Sequence, residues 1–232
     1  MDNISKSFFL IKYISKIAKG YLRRSGYVVT ISYDDNRRKL LKLIDKIKTE
    51  VSFLLSDNEA YQLYTTTKCM KKIRGDIAEV GIFEGGSSKL ICEAKGNKKL
   101  YIFDTFQGLP EVGKVDTRFH IGQYKSSYED VKEYLKKYKN IYIYKGLFPD
   151  SAKSIKNNIF SFVHIDVDTY KSTKDCLDFF YPRLNTGGVI ISHDYVNSPG
   201  VKKAFDEFFN TKAEAVIPLI DRQCMIQKIN YF

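Results

Sequence analysis

The chain has 232 residues, of which 44% are hydrophobic, and a formal net charge of +11. This length and composition predict one domain, or one domain with a short extension, that contains enough apolar residues for a substantial core. No run of 18 or more apolar residues occurs, so no transmembrane helix is predicted. The lysines and arginines are spread over amphipathic stretches instead of being grouped on one segment, which argues against nucleic acid as a partner.

The first 24 residues predict a basic amphipathic helix, because residues 4–24 combine apolar and basic side chains at helical spacing. Such helices lie on anionic membrane surfaces or pack against proteins, including a second copy in a homo-oligomer. The sequence does not decide between these alternatives. Because the start lacks the features of a signal peptide and the four cysteines are scattered, the expected location is cytoplasmic, with peripheral contact at the inner membrane face as an alternative.

From residue 76 onward, short apolar runs alternate with helical stretches, which is typical of βαβ units with a parallel sheet. Residues 36–73 are predicted to be mostly helical and to cap one end of that sheet. The chain is therefore expected to divide into a helical extension, 1–75, and a sheet-containing domain, 76–232. Strands are predicted at 76–81, 99–104, 141–146, 162–167 and 188–193, with helices near 86–95, 126–139, 150–157 and 172–183.

The C-terminal region contains two strand-like runs, 215–220 and 224–229, with only three residues between them. So short a gap cannot contain a crossover helix, so the two runs are predicted to form an antiparallel hairpin. A mostly parallel sheet with one reversed strand at the C-terminus is the plan of class I methyltransferases. The predicted fold is therefore an α/β, Rossmann-like seven-stranded sheet of this kind, with helices on both faces.

The first predicted strand leads into EVGIFEGGSSKL, which contains Glu79, Gly81, Gly85, Gly86 and Ser87. In open α/β sheets, ligands bind where a strand's carboxyl end meets the next helix. Glycines allow the backbone to approach a ligand closely, and the helix start offers free N–H groups. The spacing fits neither a dinucleotide fingerprint nor a P-loop. An acid at the strand end suits a positively charged ligand such as S-adenosylmethionine, although an ordinary strand–turn–helix junction remains an alternative.

The next two predicted strands also end in residues that suit a nucleoside. Asp104 ends the second strand, at the position where this architecture binds a ribose diol. Gly146, Leu147 and Phe148 follow the third strand, where an adenine ring could stack. Three strand ends with suitable residues in order predict a cofactor site, although Asp104 could instead be a surface residue or a helix cap.

The fourth predicted strand carries Asp166 and Asp168, and side-chain alternation predicts that both point the same way. Two neighbouring carboxylates repel, so either one is protonated or a cation lies between them. The fifth strand ends with His193 and Asp194. Asp166, His193 and Asp194 make an oxygen-rich ligand set that suits Mg²⁺, or Mn²⁺ because of the imidazole. The alternatives are that Asp168 caps the helix near Ser172 and that His193 is structural.

The blocks GIFEGGSS, FDTFQGLP, KGLFPDSA, HIDVDTYKST and ISHDY, in this order, resemble the macrocin O-methyltransferase family of sugar O-methyltransferases. The resemblance covers about residues 76–210. It implies S-adenosylmethionine- and Mg²⁺-dependent methyl transfer to a sugar hydroxyl of a carbohydrate-containing small molecule or a glycan. It also implies that Glu79 and Gly81 lie in the methionine-binding loop and that Asp104 holds the ribose.

By the same resemblance, Asp166 and the 193–194 pair would hold the metal and Asp168 would be the candidate general base. The family usually has Asp-Asp where this chain has His193-Asp194, so the resemblance does not determine which metal binds. His120, in a segment expected to form a lid over the acceptor, is the alternative base. Two other functions use the same residues: a metal-dependent glycosyltransferase with the Asp166-x-Asp168 pair, and a binding module on a catalytically degenerate methyltransferase fold.

Overall fold

The structure, a computed structural model, describes residues 35–230, and from Leu40 onward the described residues form one compact unit. The predicted basic helix over residues 1–24 lies outside the described range, so its membrane or subunit contact stays a prediction. Among the described residues, no helix is both long and apolar enough to cross a membrane. The division of the chain at residue 75/76 also stays a prediction.

A seven-stranded sheet lies at the centre of the fold. Its strands are β1 (Asp76–Val80), β2 (Leu100–Asp104), β3 (Ile141–Lys145), β4 (Phe160–Ile165), β5 (Leu184–Ser192), β6 (Ile217–Pro218) and β7 (Cys224–Gln227). The order across the sheet is β3-β2-β1-β4-β5-β7-β6. Strands β1 to β5 pair in parallel, whereas β7 runs antiparallel to both of its neighbours. The predicted α/β fold with a reversed C-terminal strand is confirmed.

Six α-helices occur in the described range: α1 (Asp35–Glu50), α2 (Asp57–Cys69), α3 (Gly86–Ala94), α4 (Tyr128–Leu135), α5 (Tyr170–Phe180) and α6 (Pro199–Phe209). Short 3₁₀ helices cover Met70–Lys72, Asp150–Ile155 and Tyr181–Arg183. The segment near 150–157 is therefore a 3₁₀ turn and not the expected α-helix. Its Ala152 N–H donates to the Pro149 carbonyl three residues back, which is the tighter pattern.

The start of α5 differs from its prediction for a tertiary reason. The sequence STKD at 172–175 has a serine with an acid three residues on, which is typical of a helix start, but the helix begins at Tyr170. The Tyr170 N–H donates to Asp116 Oδ1 at 3.0 Å, so a buried carboxylate 54 residues earlier takes the place of a local cap. At α4, by contrast, the same serine–acid spacing does form a local cap, since Ser127 accepts the Asp130 N–H.

Side-chain alternation along the strands divides the core into two layers. On β2, Tyr101 and Phe103 pack into one layer with α5 and α6, whereas Leu100 and Ile102 pack into the other with α1 to α4. Helices therefore cover both faces of the sheet, as predicted. Each layer buries many large apolar side chains, and area removed from water at about 25 cal/mol per Å² is the main stabilising contribution.

The prediction that Asp166 and Asp168 share one strand face is wrong. Strand β4 ends at Ile165, and Asp168 has a left-handed φ of +62°. The Thr169 N–H then donates to the Val167 carbonyl at 2.6 Å, which makes a tight turn directly after the strand. Side-chain direction after Ile165 is therefore set by this turn and not by strand alternation.

Candidate active site

The carboxyl ends of the central strands lie together at one cleft. Backbone hydrogen bonds continue the parallel ladder one residue beyond the end of the strands. The N–H groups of Gly81, Gly146, Asp166 and His193 each donate, at 2.9 Å, to a carbonyl of the neighbouring strand. All four residues line the cleft. The parallel sheet thus brings together loops that are distant in sequence.

Gly81 is required by close backbone contact. Its φ is +79°, and a Cβ atom placed there would lie 1.8 Å from the Asp166 carbonyl oxygen. A Cβ atom added to Gly86 would also lie too close to its neighbour, the Phe53 ring. Both Gly86 and Ser87 line the cleft. Gly85 lies outside the cleft lining and acts as the left-handed N-cap of α3. Gly85 therefore shapes the loop from outside the cleft.

We expect Gly81→Ala to destabilise the protein by more than about 2 kcal/mol, because left-handed strain adds to a backbone clash. Gly122→Ala is the matched control: φ there is +81°, but the nearest atom to an added Cβ lies 4.0 Å away. That control isolates the cost of φ alone, about 1–2 kcal/mol. Chemical denaturation of both variants measures the difference, and equal losses would contradict the assignment of a clash at Gly81.

Glu79 does not reach the cleft, although the sequence placed it among the cofactor residues. Alternation on β1 turns it into the helix-covered face, where it is fully buried. Its carboxylate lies 3.0 Å from His164 Nδ1 on β4 and accepts a hydrogen bond from Ser88 Oγ. Glu79 is therefore not placed to contact a ligand in the cleft directly. Instead it holds the first turn of α3 through the hydrogen bond from Ser88.

Asp104 lines the cleft, as predicted, and also organises the loop beside it. Its carboxylate accepts the N–H groups of Ile82 at 2.8 Å, Phe83 at 3.2 Å and Phe106 at 2.7 Å. Phe83 and Phe106 both have left-handed φ values, which these hydrogen bonds stabilise. Burial raises the pKa of Asp104 above its ordinary value, and the three N–H donors oppose that rise.

After β3, the predicted stacking residues divide into a buried and an exposed member. Phe148 lines the cleft but is mostly buried, with its ring stacked on Phe180 at 5.2 Å and edge-on to Phe103. Leu147 also lines the cleft and is 51% exposed. Leu147 therefore offers the free apolar surface at this end of the cleft, with Gly146 beside it.

The predicted metal ligands lie together at the other end of the cleft. His193 Nδ1 is 2.9 Å from Asp194 Oδ2 and 3.2 Å from Asp166 Oδ1, and the three ligand atoms lie within 4.8 Å of one another. Burial alone would lower the pKa of His193, but Asp166, Asp194 and Glu59 raise it well above its ordinary value. These carboxylates therefore favour the protonated form of the ring.

Asp168 is buried next to this cluster. Burial, together with the charges of Asp166 and Asp194, raises its pKa well above the ordinary value. Asp194 also has a left-handed φ, +60°, so both loops carry unfavourable backbone conformations at the cluster. The fold therefore holds Asp168 inside the cleft, in an environment that disfavours its charged form.

His120, the alternative base, is exposed and does not line the cleft. Its segment does contribute to the lining through Arg118, Phe119, Gln123 and Tyr124. The Tyr124 ring lies edge-on to Phe83 at 5.9 Å. Burial and then the Asp168 charge raise the pKa of Tyr124. Tyr124 is therefore the residue of this segment that lines the cleft and is influenced by the Asp168 charge, and its left-handed φ of +62° carries no signal in the sequence.

The region before the sheet, which the sequence predicts as a cap, contributes to the cleft through residues that the sequence does not single out. Residues 52–55 line the cleft, and the Ser52 N–H donates to Glu84 Oε2 at 2.6 Å. Arg222, from the β6–β7 turn, lines the cleft as well and donates to the Leu54 carbonyl. No local motif marks these residues, because their roles depend on contacts between distant parts of the chain.

Comparison with known proteins agrees with this geometry. The family model described as Macrocin-O-methyltransferase (TylF) matches residues 59–228. A 4'-O-methyltransferase of 8-demethyl-8-(2,3-dimethoxy-alpha-L-rhamnosyl)-tetracenomycin-C from Streptomyces olivaceus is 26% identical over 204 residues, covering 78% of this chain and 77% of that protein. Demethyldecarbamoylnovobiocin O-methyltransferase from Streptomyces niveus is 28% identical over 153 residues, covering 59% of this chain and 58% of that one.

Among solved structures, the O-methyltransferase NovP superposes with a TM-score of 0.67 at 23% identity, covering 75% of this chain and 81% of that chain. This likeness supports the fold, and the family match extends over most of the residues that line the cleft. The chain therefore belongs to the macrocin O-methyltransferase family and is an O-methyltransferase.

Proposed function

We propose that the protein transfers a methyl group from S-adenosylmethionine to a sugar hydroxyl of a glycan, glycolipid or glycosylated natural product, with help from a divalent cation. The observation that carries this proposal is the single cleft that joins the glycine loop of Gly81 to the cluster of Asp166, His193 and Asp194. The printed names of relatives support the acceptor class, since one of them is a methyltransferase of a rhamnosyl group.

The cofactor end of the cleft suits S-adenosylmethionine. Gly81, Gly86 and Ser87 allow the methionine part to approach the backbone at the start of α3. Asp104 lies where the ribose would bind, and Leu147 offers an apolar surface for the adenine. This arrangement would direct the sulfonium methyl group toward the acidic end of the cleft.

The donor set at the acidic end suits a divalent cation. Separations of 2.9 and 3.2 Å between His193 Nδ1 and the two carboxylate oxygens match neighbouring ligands held at about 2.1 Å by one octahedral ion. Two carboxylates and one imidazole suit Mg²⁺ or Mn²⁺, and the imidazole favours Mn²⁺. A bound cation would lower the pKa of a sugar hydroxyl that coordinates it.

Asp168 is the proposed general base. The acceptor oxygen attacks the methyl carbon, the carbon–sulfur bond breaks, and the hydroxyl proton passes to the Asp168 carboxylate. A raised pKa makes this carboxylate a stronger base once it is ionised. Tyr124 and the backbone of residues 52–55 cover the same space, which would orient the acceptor and exclude water.

Titration with S-adenosylhomocysteine and with UDP, each with and without Mg²⁺, tests this proposal. We expect calorimetric binding of S-adenosylhomocysteine and no binding of UDP, because the cleft has a glycine loop for a sulfonium cofactor and no diphosphate cradle. Binding of UDP alone would support the glycosyltransferase alternative. Binding of neither ligand would support the degenerate module. The family match and the reversed β7 strand argue against the glycosyltransferase alternative.

A further inference from the structure

Glu59 is a buried acid in the first turn of α2, at the last position of the capping-box sequence SDNE. Its Oε2 accepts the Ser56 N–H at 2.8 Å in a capping box. Arg222 binds both carboxylate oxygens, with Nε 3.2 Å from Oε1 and Nη2 2.9 Å from Oε2. The two hydrogen bonds from Arg222 hold the Glu59 carboxylate in one orientation.

The same carboxylate lies next to the Nε2 side of the His193 ring. Glu59 Oε1 lies 3.3 Å from His193 Nε2, whereas Nδ1 on the other side of the ring faces Asp166 and Asp194. The backbone of His193 is held separately, by its N–H bond to the Ile165 carbonyl. The Nε2 atom is buried and has no hydrogen-bond partner of good geometry, so Glu59 Oε1 contacts it as a charge partner at ion-pair distance, and the Glu59 side chain is fully buried.

We propose that Glu59 is a positioning residue: it holds the Nε2–H of His193, so that Nδ1 is presented as a nitrogen ligand toward Asp166 and Asp194. This inference rests on the divalent-cation site of the proposed function. A carboxylate behind a metal-binding imidazole selects one tautomer, orients the ring and makes the free nitrogen more basic. Arg222 keeps Glu59 in place, so the segments before and after the sheet support the same ligand.

Binding of Mn²⁺, measured by calorimetry and by electron paramagnetic resonance without cofactor or acceptor, tests the proposal. We expect Glu59→Gln to weaken Mn²⁺ binding by about 10- to 100-fold, because the amide keeps the size and the capping bond but loses the charge. Asp57→Asn is the matched control, since Asp57 lies in the same helical turn, is exposed and pairs with Lys48. That variant should bind Mn²⁺ as the unsubstituted protein does.

A double-mutant cycle separates positioning from a general effect on folding. In a His193→Asp background there is no imidazole to orient, so we expect Glu59→Gln to change Mn²⁺ affinity by less than about threefold. An equal loss in both backgrounds would overturn the proposal, as would an absence of Mn²⁺ binding by the unsubstituted protein. If Glu59→Gln does not fold, Glu59→Asp is the second variant. Its carboxylate can still pair with Arg222, but the shorter side chain moves it away from His193, so Mn²⁺ binding should also weaken.

The outcome is distinguishable from failure of the proposed function. Binding of S-adenosylhomocysteine reports on the cofactor end of the cleft, which contains neither Glu59 nor His193. If the unsubstituted protein does not bind S-adenosylhomocysteine, the methyl-transfer proposal is contradicted. The double-mutant cycle measured with Mn²⁺ can still be interpreted in that case. Retained cofactor binding with no change in Mn²⁺ affinity on Glu59→Gln would contradict the positioning role alone.

Discussion

Asp168→Asn is expected to lower kcat by about 10²- to 10⁴-fold, the usual contribution of a general base. The affinity for S-adenosylhomocysteine should stay within about twofold, because Asp168 lies at the acidic end of the cleft and asparagine has nearly the same shape. Steady-state kinetics with a methyl acceptor and calorimetry with S-adenosylhomocysteine measure the two quantities. His120→Asn is the control, and it should retain turnover because His120 is exposed and outside the cleft lining.

The same variant is expected to be more stable than the unsubstituted protein at neutral pH. A carboxyl group whose pKa is raised on folding binds its proton more tightly in the folded state. Its contribution to the free energy of unfolding therefore falls as pH rises from the ordinary carboxyl range through the raised pKa. Asparagine removes that loss, so a gain in the free energy of unfolding is expected near neutral pH.

Chemical denaturation at two pH values, one near the ordinary carboxyl pKa and one near neutrality, measures this gain. The stability difference between the variant and the unsubstituted protein should grow toward neutral pH. A variant with unchanged turnover would transfer the base role to another residue of the cleft. A variant that loses both turnover and stability would indicate that Asp168 is a structural residue.

Removal of divalent cations with EDTA is expected to lower turnover by at least about 100-fold, and Mn²⁺ affinity is expected to fall as pH is lowered. In the cation-free protein, the surrounding carboxylates raise the pKa of His193, so its ring is protonated at neutral pH. A cation can use Nδ1 only after that proton leaves. Binding should therefore release a proton and weaken by about tenfold for each pH unit below the His193 pKa.

Calorimetry with Mn²⁺ in two buffers that differ in ionisation enthalpy counts the released protons. His193→Asp is the control, and it should release fewer protons on binding because it removes the imidazolium. The stability that His193 contributes to the cation-free protein is complete below the ordinary histidine pKa and is lost as pH rises through the raised one. Binding without proton release would contradict a protonated ring in the free protein.

Much of the candidate site could be predicted because strand ends are visible in a sequence. Gly81, Asp104, Asp166 and His193 each lie at or just after the end of an apolar run, and the parallel sheet brings those ends to one edge. The reversed strand could be predicted equally well, since a gap of three residues between two strands has room only for a hairpin turn. These conclusions need nothing beyond local periodicity and the geometry of a parallel sheet.

Three residues show where that reasoning stops. Alternation along β1 points Glu79 away from the cleft, so an acid at a strand end need not face a ligand. The left-handed φ of Asp168 takes it off the strand pattern. His120 lies in the predicted lid, but the side chain that faces the acids from that lid belongs to Tyr124. Asp168 and Tyr124 lie in turns with left-handed φ values, which strand alternation does not describe.

Side-chain periodicity and chain connectivity are enough to predict the order of strands and helices, the reversed strand and the acids at the strand ends. What those acids contact depends on the tertiary structure. Glu59 and Arg222 are 163 residues apart, yet they form one ion pair behind His193. Contacts of this kind arise from packing between distant segments, so no local pattern encodes them.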